Sequence, residues 1–145
     1  VSTSAIQKFD GYNRFLSNFY PAVVNFEGAE YPSVEHAYQA AKTVDVSKRT
    51  AFQYPGLSSK DAKAMGRRLV MREGWDEMKL GVMEQLLREK FKHADLRQKL
   101  LATAPAELVE GNWWGDTWWG MCHGVGENHL GRLLMKIRDE AASGR

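Results

Sequence analysis

Apolar residues recur along this chain mainly at helical spacing. Val34, Ala37, Tyr38 and Ala41 repeat at i, i+3, i+4 and i+7, which predicts a helix over 34–42 with one buried stripe. Ser33, following Tyr31-Pro32, is its expected N-cap. A second helix is predicted over 58–70, with Ala62, Met65 and Leu69 inward and Ser58 and Asp61 related as in a capping box. Gly66 falls inside that helix at a cost of about 1 kcal/mol against alanine, so close packing is expected there. The longest helix is predicted from Asp76 to about Phe91, with Met78, Val82 and Leu86 in one row and Met83, Leu87 and Phe91 in the next. Asp95 is expected to cap a short helix through Leu101, before Pro105. Leu130, Leu133, Leu134, Ile137 and Ala141 line one side of a last helix.

Strand signals are fewer. The opening stretch shows little helical periodicity, and Val23, Val24, Phe26 and Tyr31 surround Glu27-Gly28-Ala29 as a short hairpin would. After Glu110, the glycines Gly111, Gly115 and Gly120 mark a loop holding one strand at most. Trp113-Trp114-Gly115 and Trp118-Trp119-Gly120 echo each other, but five residues is too short a period for a structural repeat. With no linker or low-complexity tract, the expected fold class is α+β: a compact, helix-dominated single domain over 1–145 with a small set of short strands.

Composition narrows the function classes. A chain of 145 residues, 43% apolar and 26% charged, can bury a core without metal or disulfide staples. Its one cysteine, Cys122, cannot form an internal disulfide. No apolar run approaches a membrane span and the N-terminal stretch has no signal-peptide core, so a cytoplasmic location is expected. A net charge of +2 is no argument for nucleic-acid binding. Lys60, Lys63, Arg67, Arg68 and Arg72 gather in one stretch, as a local positive surface or as an ordinary solvated helix face.

Two carboxylates could carry chemistry. Glu35 lies in the first turn of the 34–42 helix, off the apolar stripe, with Gln39 and Lys42 on its face. It either complements the helix dipole, worth roughly 0.3–1 kcal/mol, or works as a nucleophile, base or charge stabiliser. A general acid there would need burial or a neighbouring carboxylate to raise its pKa. Asp116 sits between the two tryptophan pairs, as a turn residue bonding its own backbone or as a carboxylate in low-dielectric aromatic walls. Such a pair suits the departure of a base from C1′ of a ribose, because an oxocarbenium-like sugar needs negative charge beside it. Aromatic faces can hold the base at about 1–3 kcal/mol each. Trp75 could supply one, or could simply anchor the start of the long helix.

Other combinations are weaker. Cys122-His123 are adjacent in sequence, whereas nucleophile and base usually meet in space. The four histidines lack zinc-site spacing. The amides of Gly124-Val125-Gly126-Glu127-Asn128, ahead of the last helix, could hold a phosphate.

Longer stretches carry a resemblance. Phe15-Leu16-Ser17-Asn18-Phe19-Tyr20-Pro21 and Ser33-Val34-Glu35-His36-Ala37-Tyr38-Gln39-Ala40-Ala41-Lys42 resemble the two N-terminal signatures of the NADAR family, which includes the YbiA-type N-glycosidases. The similarity continues through Gly66-Arg67, Arg72 with Trp75, Lys90-Phe91, Glu110, Asp116-Thr117-Trp118-Trp119-Gly120 and the 126–135 stretch from Gly126 to Met135. It implies a mostly helical α+β fold and metal-independent, cofactor-free hydrolysis of an N-glycosidic bond. Some members act on phosphoribosylamino-pyrimidine intermediates of riboflavin synthesis. Others remove ADP-ribose from guanine in nucleic acid and partner a DNA ADP-ribosyltransferase toxin. The family's catalytic positions fall on Glu35, Trp75 and Asp116. Asn18, Lys42, Arg67, Arg72 and Asn128 are candidates for sugar and phosphate contacts, and Phe19 and Trp119 for further substrate contacts. The expected function is removal of ADP-ribose from modified guanine, with riboflavin-intermediate hydrolysis or a non-catalytic ADP-ribose- or NAD-binding module as alternatives.

Overall fold

A computed structural model describes residues 4–144. Helices dominate, and every strand is two or three residues long, so the expected α+β class holds. The chain forms two compact units, one from Asn18–Lys90 and one from residues 4–17 with 91–144.

The 18–90 unit opens with the hairpin β1 (Val24–Phe26) and β2 (Ala29–Tyr31), antiparallel with Phe26 opposite Ala29. Glu27 and Gly28 form its two-residue turn at φ 48° and 86°, the doubly positive φ that matches strand twist. Helix α1 (Val34–Ala40) follows, α2 spans Val46–Ala51, α3 Ser59–Gly66 and α4 Trp75–Lys90. Val24, Phe26, Tyr31, Val34, Ala37, Phe52, Ala62, Met83, Leu86 and Leu87 are buried; large apolar side chains of this kind each contribute about 1.5–3 kcal/mol when taken from water.

In the other unit, a 3-10 helix at Gly11–Leu16 precedes α5 (Ala94–Ala102) and α6 (His129–Ala142). Two small parallel ladders accompany them. One pairs Ala5–Ile6 with Glu107–Leu108; the other pairs Gly111–Asn112 with Met121–Cys122. Leu130, Leu134 and Ile137 of α6 and Leu96 and Leu100 of α5 are buried. Gly131 lets α6 close on the backbone at Leu108, whose carbonyl a Cβ would strike.

Several sequence expectations need correction. The 34–42 and 58–70 helices end early, at Ala40 and Gly66. Asp95 sits in the first turn of α5 rather than capping it, and His93 holds the cap position with no side-chain bond. The sequence reading missed α2, although Asp45 caps it by accepting from the amides of Ser47 and Lys48. The tryptophan-rich stretch holds two short strands where at most one was expected. No helix among the described residues is long and apolar enough to cross a membrane.

Candidate active site

Helix α1 is buried on every side, polar residues included. A buried polar group needs a partner, and α1 meets that demand with a chain of contacts. Ser33 Oγ accepts from the His36 amide at 3.2 Å and lies 2.6 Å from His36 Nδ1. His36 Nε2 lies 2.6 Å from the Leu57 carbonyl, an arrangement that calls for the proton on Nε2. Burial also lowers the imidazole pKa, favouring the neutral ring. Ser33 Oγ is 3.2 Å from Ser59 Oγ, which donates to the Phe19 carbonyl. The Glu35 amide donates to the Asn18 carbonyl at 3.1 Å. Capping and backbone bonds thus tie the 18–19 segment, α1 and the start of α3 together around Glu35.

Glu35 is 7% exposed. Gln39, one turn on, donates from Nε2 to Glu35 Oε2 at 2.5 Å, the i,i+4 relation that the spacing predicted. Burial raises the carboxyl pKa above its ordinary value, opposed by the Gln39 bond and by the positive charges of Lys63 and Lys42. The burial that a general acid would require at a helix start is therefore present. Lys42 is itself partly buried, with its ammonium 5.5 Å from the centre of the Tyr38 ring. Its pKa is lowered, first by burial and then by Lys63, Arg67 and Lys79, while Glu35 pulls the other way. Its carbonyl accepts from the Arg72 amide at 2.7 Å, which brings the 72 region beside the end of α1.

Aromatic groups complete this cluster. Trp75 opens α4, is 4% exposed, and packs tilted against Tyr38 with ring centres 5.3 Å apart. Phe19 is 38% exposed and lies 5.9 Å below the Lys63 ammonium. Asn18 donates weakly to Met83 Sδ at 3.5 Å, while its buried Oδ1 has no hydrogen-bond partner among the described residues. Seven of the expected site residues (Glu35, Trp75, Asn18, Phe19, Lys42, Arg67 and Arg72) therefore come from the 18–90 unit. Lys63 belongs with them. In the sequence it stands only in a run of helix charge, which carries no signal of a buried partner.

Asp116, Trp119 and Asn128 belong to the other unit. Asp116 Oδ1 accepts from the amides of Trp118 at 3.1 Å and Trp119 at 2.9 Å, and Asn112 brackets the Asp116 backbone with bonds of 2.8 and 3.0 Å. This is the turn expected of such an aspartate, and it aims the tryptophans that follow. Trp118 meets Trp119 edge to face at 4.6 Å and His129 at 4.3 Å. Asn128 begins α6 at φ 53°, with Oδ1 accepting from the Glu110 amide and Nδ2 donating to the Leu108 carbonyl. Of the amides suggested as a phosphate cradle ahead of α6, those of Val125, Glu127 and Asn128 are engaged, donating to the carbonyls of Cys122, Thr117 and Gly120.

A buried glutamate beside lysines and aromatic rings can stabilise positive charge developing on a bound molecule, and cations and ring faces can hold anionic and flat groups. Residues 7–141 match the NADAR domain, and the chain belongs to that family. It is 42% identical to N-glycosidase YbiA of Escherichia coli, covering 92% of this chain and 84% of that protein. A Nostoc punctiforme N-glycosidase is 37% identical, over 86% of this chain and 83% of that protein. A Vibrio vulnificus riboflavin biosynthesis protein is 38% identical over 90% of this chain, which spans 36% of that longer protein. The NMR structure of E. coli YbiA superimposes with a TM-score of 0.83, at 38% identity, covering 99% of this chain and 89% of that one.

Proposed function

We propose that this protein is an N-glycosidase that hydrolyses the bond between ribose C1′ and a base nitrogen in a phosphate-bearing nucleotide adduct, with ADP-ribosyl-guanine as its preferred substrate. The observation that carries this reading is Glu35, a buried carboxyl of reduced acidity beside Lys42 and Lys63 on a helix capped by Ser33. The names of its YbiA-type relatives support the reaction class.

The chemistry follows from the charges. As the base departs with the bonding pair, positive charge develops on C1′ and the ring oxygen, and a carboxylate beside them lowers that barrier. Glu35 stabilises this cation or removes a proton from the attacking water. The water oxygen bonds to C1′, and the leaving nitrogen gains a proton. Asp116 assists as the partner acid/base or by holding the ribose hydroxyls. Lys42, Lys63, Arg67 and Arg72 take the anionic oxygens, Asn18 a sugar hydroxyl, and Trp119 a further face of the substrate. Trp75, packed against Tyr38 with little surface open, and the more exposed Phe19 offer faces to the base. No metal or cofactor takes part in this scheme. Asn128 acts through the turn that its amide fixes. Pairing with a DNA ADP-ribosyltransferase toxin and a cytoplasmic location belong to the same reading.

A second substrate, a phosphoribosylamino-pyrimidine, is favoured by the riboflavin biosynthesis name of the Vibrio relative. The exposed cations Lys60, Arg67 and Arg68 on and after α3 suit a polyanion better. Released base is measured with ADP-ribosylated DNA, ADP-ribosyl-guanosine, NAD and the pyrimidine intermediate, with and without chelator. Wild type should release guanine-containing product, and Glu35→Gln should be slower by roughly 10²- to 10⁴-fold. Equal rates for the two proteins would remove Glu35 from the reaction. Turnover of the pyrimidine alone would reassign the substrate, and saturable ADP-ribose binding without turnover would make the protein a binding module.

A further inference from the structure

We propose that Gln39 is the positioning residue for Glu35, and that the absent side chain of Gly66 is what allows it to act so. This inference rests on the catalytic reading of Glu35 and adds the device that aims it. Gln39 is 3% exposed and anchors Oε2 of the carboxyl. With one oxygen anchored, the direction of the other is set. The remaining end of the amide, Oε1, is buried with no hydrogen-bond partner among the described residues and lies against Gly66 of α3. A Cβ at position 66 would overlap that oxygen and stand 2.5 Å from Gln39 Cδ and 3.0 Å from Cγ. Gly66 does not need its conformational freedom here, because its φ is ordinary. Its function is clearance.

An unpartnered buried carbonyl costs free energy, and a packed core with a simpler residue at position 39 would avoid that cost. An amide, however, can serve the carboxyl in both protonation states. Nε2 donates to the ionised group; turned over, Oε1 accepts from the protonated one. A group that gains and loses a proton during turnover needs such a partner, and an apolar side chain cannot supply it.

The charged groups around Glu35 define the pH test. From α3 comes Lys63 and from just past α1 Lys42; Arg67, after α3, and Lys79 of α4 act in turn on Lys42. His36 is turned to Ser33 and Leu57. The β1 strand has no titratable residue and Glu30 of β2 is exposed. Among these, the Gln39 bond is the largest influence that favours the charged carboxylate.

The test uses Gln39→Met, similar in length without an amide, and Gly66→Ala, which displaces the amide without touching Glu35. The titration of Glu35 is followed by carbon-13 NMR of labelled glutamate carboxyls, alongside kcat and KM on the substrate identified above. Both variants should raise the Glu35 midpoint and move the acid limb of the kcat profile to higher pH. kcat should fall roughly 10- to 100-fold, as expected for a misdirected group, with KM little changed. The double variant should be no worse than the weaker single one, since both remove one contact. An unchanged midpoint in a folded variant overturns the inference, as does failure of both to fold, which would make the amide a core residue only. A fully active Glu35→Gln would instead sink the catalytic reading while leaving the titration result intact.

Discussion

Asp116 shows how one side chain can hold two roles that a single substitution would confuse. Its Oδ1 supports the amides of Trp118 and Trp119, and in the proposed reaction it also supplies charge. Asn keeps an oxygen acceptor at that place and loses the charge; Ala loses both. Asp116→Asn should therefore keep the wild-type melting temperature while activity falls roughly 10²-fold or more, and Asp116→Ala should lose stability as well. Wild-type turnover by the Asn variant would leave Asp116 a turn residue alone. Glu35 and Gln39 were legible from spacing, because four residues on a helix is one turn. Lys63 was not, because charge on a helix reads the same whether it faces water or a buried carboxylate.

Among the elements, α1 matters most, since it carries Glu35 and Gln39 and adjoins Lys42. Its seven residues are too few to hold helical structure alone, so its cap and its packing must do so. Ser33→Ala removes the acceptor for the His36 amide and the neighbour of His36 Nδ1. The expected loss is about 1 kcal/mol, or roughly 2–4 °C in melting temperature. An unchanged melting curve would show that packing alone fixes the helix. The hairpin, the Ser33 and Ser58 caps and the longest helices could be read from sequence because each rests on contacts within a few residues. The parallel ladders of Ala5–Ile6 with Glu107–Leu108 and of Gly111–Asn112 with Met121–Cys122 could not. Strands of two residues have no period to detect, and the first pair joins segments about a hundred residues apart.

For the molecule as a whole, the buried carboxyl is a thermodynamic liability. In the unfolded chain it releases its proton near pH 4.5; in the folded protein it holds the proton to higher pH. Between those values the folded state binds more protons than the unfolded state, so this contribution to stability is full below pH 4.5 and is lost as pH rises through the folded pKa. Glu35→Gln abolishes the loss. The variant should melt a few degrees above wild type at alkaline pH, and the gap should close as pH falls toward 4.5, as expected where function opposes stability. A gap that is constant with pH would show that Glu35 is not the titrating group.

What the sequence by itself determined was local: which stretches are helices, where Ser33 caps one of them, and that Glu35 shares a face with Gln39. Residues a few positions apart dictate these through backbone geometry and capping bonds. Family membership was also legible, from motifs running in order along the chain. Only the tertiary structure decided that Glu35 is buried and that Lys63 reaches it across from α3. It likewise decided that Gly66 clears room for Gln39 and that the amides of Val125, Glu127 and Asn128 before α6 are already bonded. Desolvation and close approach depend on neighbours brought in from distant parts of the chain, and no short window of sequence contains them.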